Sequence, residues 1–335
     1  MKKKIKIGFT NEPIGFGGPT TFQINITKYL QNKNIEVVNN IYDKDLDCII
    51  LLSSTRKIFS LIKCKINRIK IIQRLDGINY KSLKQVSNIR LFLYLKIVNL
   101  LMHFIRKYLA DFVVYQSKFT FDWWHKKYGK VNKPYKIIHN GTNNHAISKQ
   151  SNSKYFDIIC IEGNYNENEH LELIKNVYTN LDKEIFKKIH IVGNTTSKFK
   201  KKLAKYNDIY FHGHVSREQI INLRKSNCIQ MSVDFNAACS NSVIEALMQG
   251  IPIIGLNTGS LKELVGDKAG IITAYDGDTF TLSSPINYKK ISQSAKVISE
   301  NYDTYSHNAK VRANDKFNIN DFGSKYLDVI SKVLV

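Results

Sequence analysis

An α/β fold made twice, each half a parallel sheet with helices on both faces, is what this sequence predicts. Three observations carry that prediction. Short β-branched runs alternate with helical stretches of about ten residues, a pattern that requires crossover connections and parallel pairing. A chain of 335 residues with 43% apolar residues has material for two ordinary cores. A polar segment without periodicity, Asn143 to Ser153, divides the alternation and reads as a linker. The expected domains are therefore 1–145 and 154–316, followed by a terminal helix over 317–335 that packs back toward the first domain.

The first half opens with a strand, Lys4 to Phe9, which runs into the loop Asn11-Glu12-Pro13-Ile14-Gly15-Phe16-Gly17-Gly18-Pro19. Thr20 or Thr21 then caps a helix from about Phe22 to Gln31, with Phe22, Ile26, Tyr29 and Leu30 on its apolar face. The loop fits neither the dinucleotide fingerprint nor the P-loop, and glycine serves tight turns as readily as ligands. Strands follow at Cys48 to Leu52 and Ile69 to Gln73. The second of these delivers Arg74, Leu75 and Asp76 at its carboxyl end, the edge where open α/β sheets bind ligands. An aspartate there acts as a general base or accepts a sugar hydroxyl, while Asp76-Gly77 is equally an ordinary turn. Arg90 to Tyr108 is a long helix whose apolar face is Leu91, Tyr94, Leu95, Val98, Leu101, Met102 and Ile105. Core packing is the expected use of that face, and a membrane-surface helix is the other reading. A strand at Asp111 to Tyr115, an aromatic helix start at Phe119 to His125 and a strand at Tyr135 to Ile138 complete this half.

In the second half, strands are expected at Phe156 to Ile161, Ile189 to Val192, Ile209 to His212, Cys228 to Val233 and Ile253 to Leu256. Helices are expected at Glu169 to Asn180, Arg217 to Ser226 and Phe317 to Leu334. The stretch from Asp234 to Glu263 stands out as a strand, a polar loop, a short helix and a stop at Gly250-Ile251-Pro252. Ser240, Asn241 and Ser242 are N-cap candidates, so the helix's first N–H groups face a loop where an anion is welcome. Glu245, read in the first turn, stands near enough to accept hydrogen bonds from a ligand's hydroxyls, although the macrodipole favours a glutamate there in any case.

Composition narrows the function. Five scattered cysteines fit neither a disulfide framework nor a zinc site, so a reducing, cytoplasmic setting is expected. The most apolar long stretch, Arg90 to Leu109, is too polar to span a bilayer. Residues 1–145 hold 26 Lys+Arg against 8 Asp+Glu, +18 of the formal +22. Such a half attracts nucleic acid, anionic headgroups or acidic substrates. The basic and aromatic residues do not interleave as in a known nucleic-acid module, so no nucleic-acid partner is expected.

Together the pieces resemble the retaining glycosyltransferases of group 1, the family 4-like type, across nearly the whole chain. The resemblance rests on Gly17-Gly18, on Ile138-His139-Asn140-Gly141, on Ile191-Val192-Gly193-Asn194 and on Phe211-His212-Gly213-His214-Val215. Above all it rests on Ser240-Asn241-Ser242-Val243-Ile244-Glu245-Ala246-Leu247 with Gly250-Ile251-Pro252 and Gly259. It implies the GT-B fold, two facing Rossmann-like domains with a nucleotide-sugar donor in the cleft between them. Glu245 would hydrogen-bond the donor's ribose. Asn241, Ser242 and Val243 would meet the diphosphate from the helix start. Gly17 and Gly18 would let the facing backbone approach it, and Asn194 and Val215 would line the nucleotide side. The implied reaction is sugar transfer from a nucleoside diphosphate sugar to an acceptor hydroxyl, with retention, without metal and with no other cofactor. The acceptor would be a glycan, a lipid-linked intermediate or a protein, and the basic domain suggests peripheral membrane contact.

Three departures from the family pattern stand in the sequence. Ala237 occupies the place of an acidic residue that contacts the donor sugar. No cation follows the strand at Phe156 to Ile161, where the family neutralises the departing diphosphate, so Arg74, Arg217 or a helix dipole becomes the substitute. Arg74-Leu75-Asp76 replaces an acceptor-side histidine, which makes Asp76 the acceptor-side carboxylate. A nucleotide-sugar-binding pseudoenzyme is the alternative these departures leave open.

Overall fold

The computed structural model describes residues 4–335 apart from 16, 44, 82–85, 87, 144–152 and 225–226. The chain forms two compact units, Met1–Gly141 with Ile319–Val335, and Thr142–Asn318. It crosses between them at Gly141–Thr142 and returns at Asn318–Ile319, a few residues from the expected boundaries at 145 and 317. Most of the segment read as a linker, 143–153, lies outside the described residues.

Unit 1 is a parallel sheet of β1 (Lys6–Gly8), β2 (Glu36–Val38), β3 (Cys48–Leu52), β4 (Lys70–Leu75), β5 (Phe112–Tyr115) and β6 (Tyr135–Ile137), in the order β2-β1-β3-β4-β5-β6. Sequence reading passed over β2, which is three residues long and at best half-buried. The central strands are buried on both faces, as parallel strands must be, and read as unbroken apolar runs such as Ile49-Ile50-Leu51.

Helix α1 (Gly18–Asn32) begins earlier than Thr20 or Thr21 predicts, with Gly17 in the capping position. Pro19 explains the shift: in a helix's first turn its lack of an N–H costs nothing and its fixed φ is already helical. Helix α2 (Ile58–Ile66) and helix α3 (Ile89–Phe104) lie on the sheet with a widened turn of five residues, Ile105–Leu109, after α3. Helix α4 (Lys118–Tyr128) is capped by Ser117, whose hydroxyl accepts from the backbone N–H of Thr120 at 3.1 Å.

Unit 2 repeats the plan with β7 (Phe156–Asn164), β8 (Phe186–Asn194), β9 (Ile209–Gly213), β10 (Cys228–Met231), β11 (Ile253–Leu256) and β12 (Gly270–Thr273), in the order β12-β11-β10-β7-β8-β9. Counted within the unit, this is the strand order of the doubly wound dinucleotide-binding fold, and the order reverses between β7 and β10. Its helices are α5 (Glu169–Asn180), α6 (Ser197–Leu203), α7 (Arg217–Leu223), α8 (Asn241–Met248), α9 (Leu261–Val265), α10 (Tyr288–Glu300) and α11 (Tyr302–Phe317).

The expected helix from Phe317 to Leu334 is two elements in part. Phe317 ends α11, Asn318 is extended, and α12 (Ile319–Leu334) belongs to unit 1. There Phe322, Tyr326, Val329 and Ile330 close the same core as Phe22, Ile26 and Leu30 of α1. Contact is close enough that a Cβ on Gly323 would stand 2.3 Å from the Tyr29 ring.

Candidate functional site

In an open parallel sheet the ligand crevice lies outside the carboxyl ends of the strands, where strand order reverses. In unit 2 that is the space beyond β7 and β10. The loop after β10 leads into α8, and Ser240 takes the capping position without bonding the helix's N–H groups by its side chain. The first N–H groups of a helix lack intrahelical acceptors, and those of α8 open onto this loop. The Ser240 hydroxyl instead meets that of Ser242 at 3.1 Å.

Glu245 is the fifth residue of α8, one turn later than the sequence reading placed it. It shares a face with Asn241, and helical side chains lean toward the N-terminus, which keeps its carboxylate at the opening. That carboxylate is one-fifth exposed and lies 3.4 Å from the Arg217 guanidinium, which also donates to the Thr142 hydroxyl at 3.0 Å.

Beneath this opening is a group that sequence reading missed. Arg224, just past α7, is buried and donates to Gln249 Oε1 at 3.0 Å, Gln230 Oε1 at 2.7 Å and the Ser242 carbonyl at 3.1 Å. Burial lowers its pKa from the usual arginine range, and the nearby Glu245 carboxylate opposes that shift. A positive charge thus stands directly behind the turn where an anion is welcome. An arginine late in an amphipathic stretch reads as a surface residue, and no local signal marks it otherwise.

The other predicted donor residues of unit 2 lie on the same strand edge. Asn194 ends β8, and its side-chain amide donates to Asn164 Oδ1 at 3.2 Å across the end of β7. Gly193 before it has φ 127°, and a Cβ there would collide with the Glu162 carbonyl at 1.7 Å. Glu162, near the end of β7, is half-buried with its pKa raised by desolvation, so this strand end carries a carboxyl where the family pattern expects a cation. Val215, after β9, packs on the apolar cluster that includes Val243, Ile244 and Leu247 of α8. The loop carrying Ala237 is fixed from outside: Ser260 N–H donates to the Ala237 carbonyl at 3.0 Å. Gly259, at φ 60°, passes so close that a Cβ would stand 2.6 Å from the Ala237 nitrogen.

In unit 1, Gly17 has φ 125° and Gly15 φ 88°, conformations that favour glycine, and a Cβ at either would meet open space. The backbone there is accessible. Gly18 starts α1 beside them. Asp76 follows β4, and groups from four strand ends converge on it and on Arg74. Arg74 donates to Asp76 at 2.8 Å, Gln116 Oε1 at 2.6 Å and Asn140 Oδ1 at 2.8 Å. The Ser53 hydroxyl and the Gln116 amide also donate to the Asp76 carboxylate. Trp124 Nε1 donates to the Asp76 carbonyl at 2.9 Å.

Arg74 itself is only 1% exposed, with its guanidinium 4.2 Å from the centre of the Phe22 ring. A side chain so enclosed does not reach a departing diphosphate, which corrects the reading of Arg74 as a substrate-facing cation. It is a positioning residue for Asp76. The Asp76 carboxylate is about one-third exposed and already accepts from three side chains.

The two sheets give the chain the fold of the GT-B glycosyltransferases. Residues 156–283, which include every predicted donor residue of unit 2, match the family model described as glycosyl transferases group 1. Among solved structures, the chain is similar to a sucrose-phosphate synthase from Thermosynechococcus elongatus, with TM-score 0.74 and 11% identity over 98% of this chain and 99% of that one. It is similar to a glycosyltransferase from Rickettsia africae, with TM-score 0.71 and 16% identity over 99% of each chain. It is also similar to Anabaena HepE, solved in complex with UDP-glucose, with TM-score 0.69 and 15% identity over 98% of this chain and all of that one. No curated protein matches the chain by sequence.

Proposed function

We propose that this protein transfers a sugar from a nucleoside diphosphate sugar to an acceptor hydroxyl, with retention of anomeric configuration and without a metal ion. The observation that carries the reading is the opening of α8, within the residues that match the group 1 family model. A helix N-terminus whose capping serine makes no side-chain bond to it, a carboxylate one turn inside it and a buried guanidinium behind it stand together near the switch point of the sheet. The helix end and Arg224 suit a diphosphate, and Glu245 suits a pair of ribose hydroxyls. HepE, bound to UDP-glucose, supports a donor of this class.

Arg224 and the helix dipole take the part of the cations that the loop after β7 lacks, stabilising the departing diphosphate. Asp76, held by Arg74, Ser53 and Gln116, is the acceptor-side carboxylate. The acceptor is a glycan, a lipid-linked intermediate or a protein, consistent with work at the cytoplasmic face of a membrane.

Ala237 favours a second reading, a protein that binds the donor without turning it over. Titrating UDP- and GDP-sugars by calorimetry and assaying release of the free nucleotide separate the two: tight binding without release on any acceptor selects the second. Glu245→Ala should weaken donor binding by roughly 10- to 100-fold, the loss of one or two hydrogen bonds to a charged group. An unchanged affinity in a folded variant overturns the donor assignment.

A further inference from the structure

Helix α3 buries a polar residue, Asn99, and leaves an apolar stripe outside. Asn99, 2% exposed, accepts from the Asn79 backbone N–H at 3.0 Å and from its side-chain amide at 3.1 Å, and donates to the Asn79 carbonyl at 2.8 Å. Met102, on the same side, is also 2% exposed. The opposite stripe is Ile89, Leu93, Ile97, Leu100 and Phe104, at steps of four, four, three and four, and these side chains are 60, 53, 55, 60 and 39% exposed. Turning the helix to bury that stripe would strip Asn99 of its three hydrogen bonds. The face expected to pack on the core is the one turned inward, with Met102 and Ile105 buried and Leu95, Val98 and Leu101 half-buried; Leu91 and Tyr94 of the same face are more than 40% exposed. A continuous apolar strip of this size on a surface marks contact with something apolar.

The charge around the strip says what that is. Residues 48–110 hold 13 Lys+Arg, and Asp76 is their one acidic residue. Several of the cations lie against aromatic rings of the same region: Lys96 is 5.0 Å from the Phe92 ring, Lys107 is 5.0 Å from Tyr108 and Arg56 is 5.2 Å from Tyr94. Apolar stems with charged heads at the border of an apolar strip are the arrangement of an interfacial helix on anionic lipid. Beside the strip opens a cavity of about 510 Å³ with Asn11, Thr55, Arg56 and Lys57 on one wall, and Tyr94 and Ile97 of α3 on the other. It lies at the carboxyl ends of β1 and β3, where the strand order of unit 1 reverses.

We propose that α3 is the face by which this protein docks on an anionic lipid bilayer, with Ile89, Leu93, Ile97, Leu100 and Phe104 in the acyl boundary. The mouth of the Arg56–Lys57 cavity then sits at the level of the headgroup phosphates. A second copy of the chain is a poor occupant, because apposing two such faces brings like charges together. The docking does not depend on the transferase reading, since its test reads binding alone.

The test is flotation of the full chain with vesicles of phosphatidylglycerol and phosphatidylcholine, against vesicles of phosphatidylcholine only. The protein should float with the anionic vesicles and be released by high salt. Leu93→Ser, Ile97→Ser and Leu100→Ser together should lower the partition coefficient at least roughly tenfold. Arg90→Ala and Lys96→Ala should each lower it roughly fivefold. Circular dichroism identical to the parent shows that each variant is folded, and the alanine variants keep the test sound if the serine triple is not. No flotation at low salt, or flotation that neither set of variants weakens, overturns the proposal. So does a dimer in sedimentation that the serine triple dissolves while vesicles remain unbound.

Discussion

Each unit buries an arginine beside its candidate site residues, Arg74 and Arg224, and the two are balanced differently. Arg74 of unit 1 contacts a carboxylate, Asp76, besides Gln116 and Asn140. Arg224 of unit 2 contacts two glutamine oxygens and a backbone carbonyl, all neutral. The Nε of each has no hydrogen-bond partner among the described residues, so neither site is fully satisfied by its neighbours. A guanidinium paired in contact with a carboxylate spends its field on that partner, and Arg74 serves to hold Asp76 in place. A guanidinium among neutral acceptors keeps its field for whatever approaches. Together with the helix opening beside it, Arg224 makes unit 2 the half that suits an anion, although unit 1 carries most of the positive charge. Net charge sets long-range attraction, and the local pairing of buried charges sets where an anion is held.

The comparison can be broken most forcefully at Arg224. Arg224→Met leaves Gln230, Gln249 and the Ser242 carbonyl without their donor, and should destabilise unit 2 by about 3 kcal/mol or more. Both tryptophans, Trp123 and Trp124, belong to α4 in unit 1. Urea unfolding followed by tryptophan fluorescence therefore reports unit 1, while far-ultraviolet circular dichroism reports both units. The variant should lower the dichroism midpoint and leave the fluorescence midpoint in place; a shift of both would show that the units unfold as one.

Asp76→Asn is the mirror experiment. It keeps most of the hydrogen bonds but removes the charge that balances Arg74, and should cost unit 1 about 2 kcal/mol, read as a lower fluorescence midpoint. If Asp76 also serves the acceptor, turnover should fall more than donor affinity. Equal stability and equal turnover would mean that Arg74 needs no counter-charge.

The smallest expected effect concerns pH. In unit 2, His212 meets the buried His190 at 3.0 Å, and its pKa is lowered, first by desolvation and then by the charge His190 would carry. A histidine whose folded pKa lies below the unfolded value of about 6.5 contributes stability that is complete above that value and is lost as pH falls through the folded one. Acidification below about 6.5 should therefore lower the dichroism midpoint, and His212→Gln should flatten that slope. A slope unchanged in the variant would assign it to other groups.

How much of this could be read from the chain alone depended on range. The alternation of strands and helices is local, so the two parallel sheets were legible, as was the loop-to-helix unit from Asp234 onward. Ala237 and the missing cations after β7 were equally plain. Arg224 was not, because its role depends on Gln230 and Gln249, which approach it only in the folded unit. The inward face of α3 was legible from Leu95, Val98, Leu101, Met102 and Ile105, but the second apolar stripe opposite it was not, and the bond that fixes Asn99 inside comes from Asn79, twenty positions earlier.

Gly141 and Asn318 mark where the chain leaves unit 1 and where it comes back. Unit 2 is one continuous stretch, so it can fold as soon as its own residues have left the ribosome. Unit 1 has to wait. Its sheet is complete by Ile137, yet Phe22, Ile26 and Leu30 of α1 have no cover until Phe322, Tyr326 and Ile330 arrive. During synthesis of some 180 residues unit 1 holds an open apolar core, which is when a chaperone would find it and when truncation before α12 would be felt.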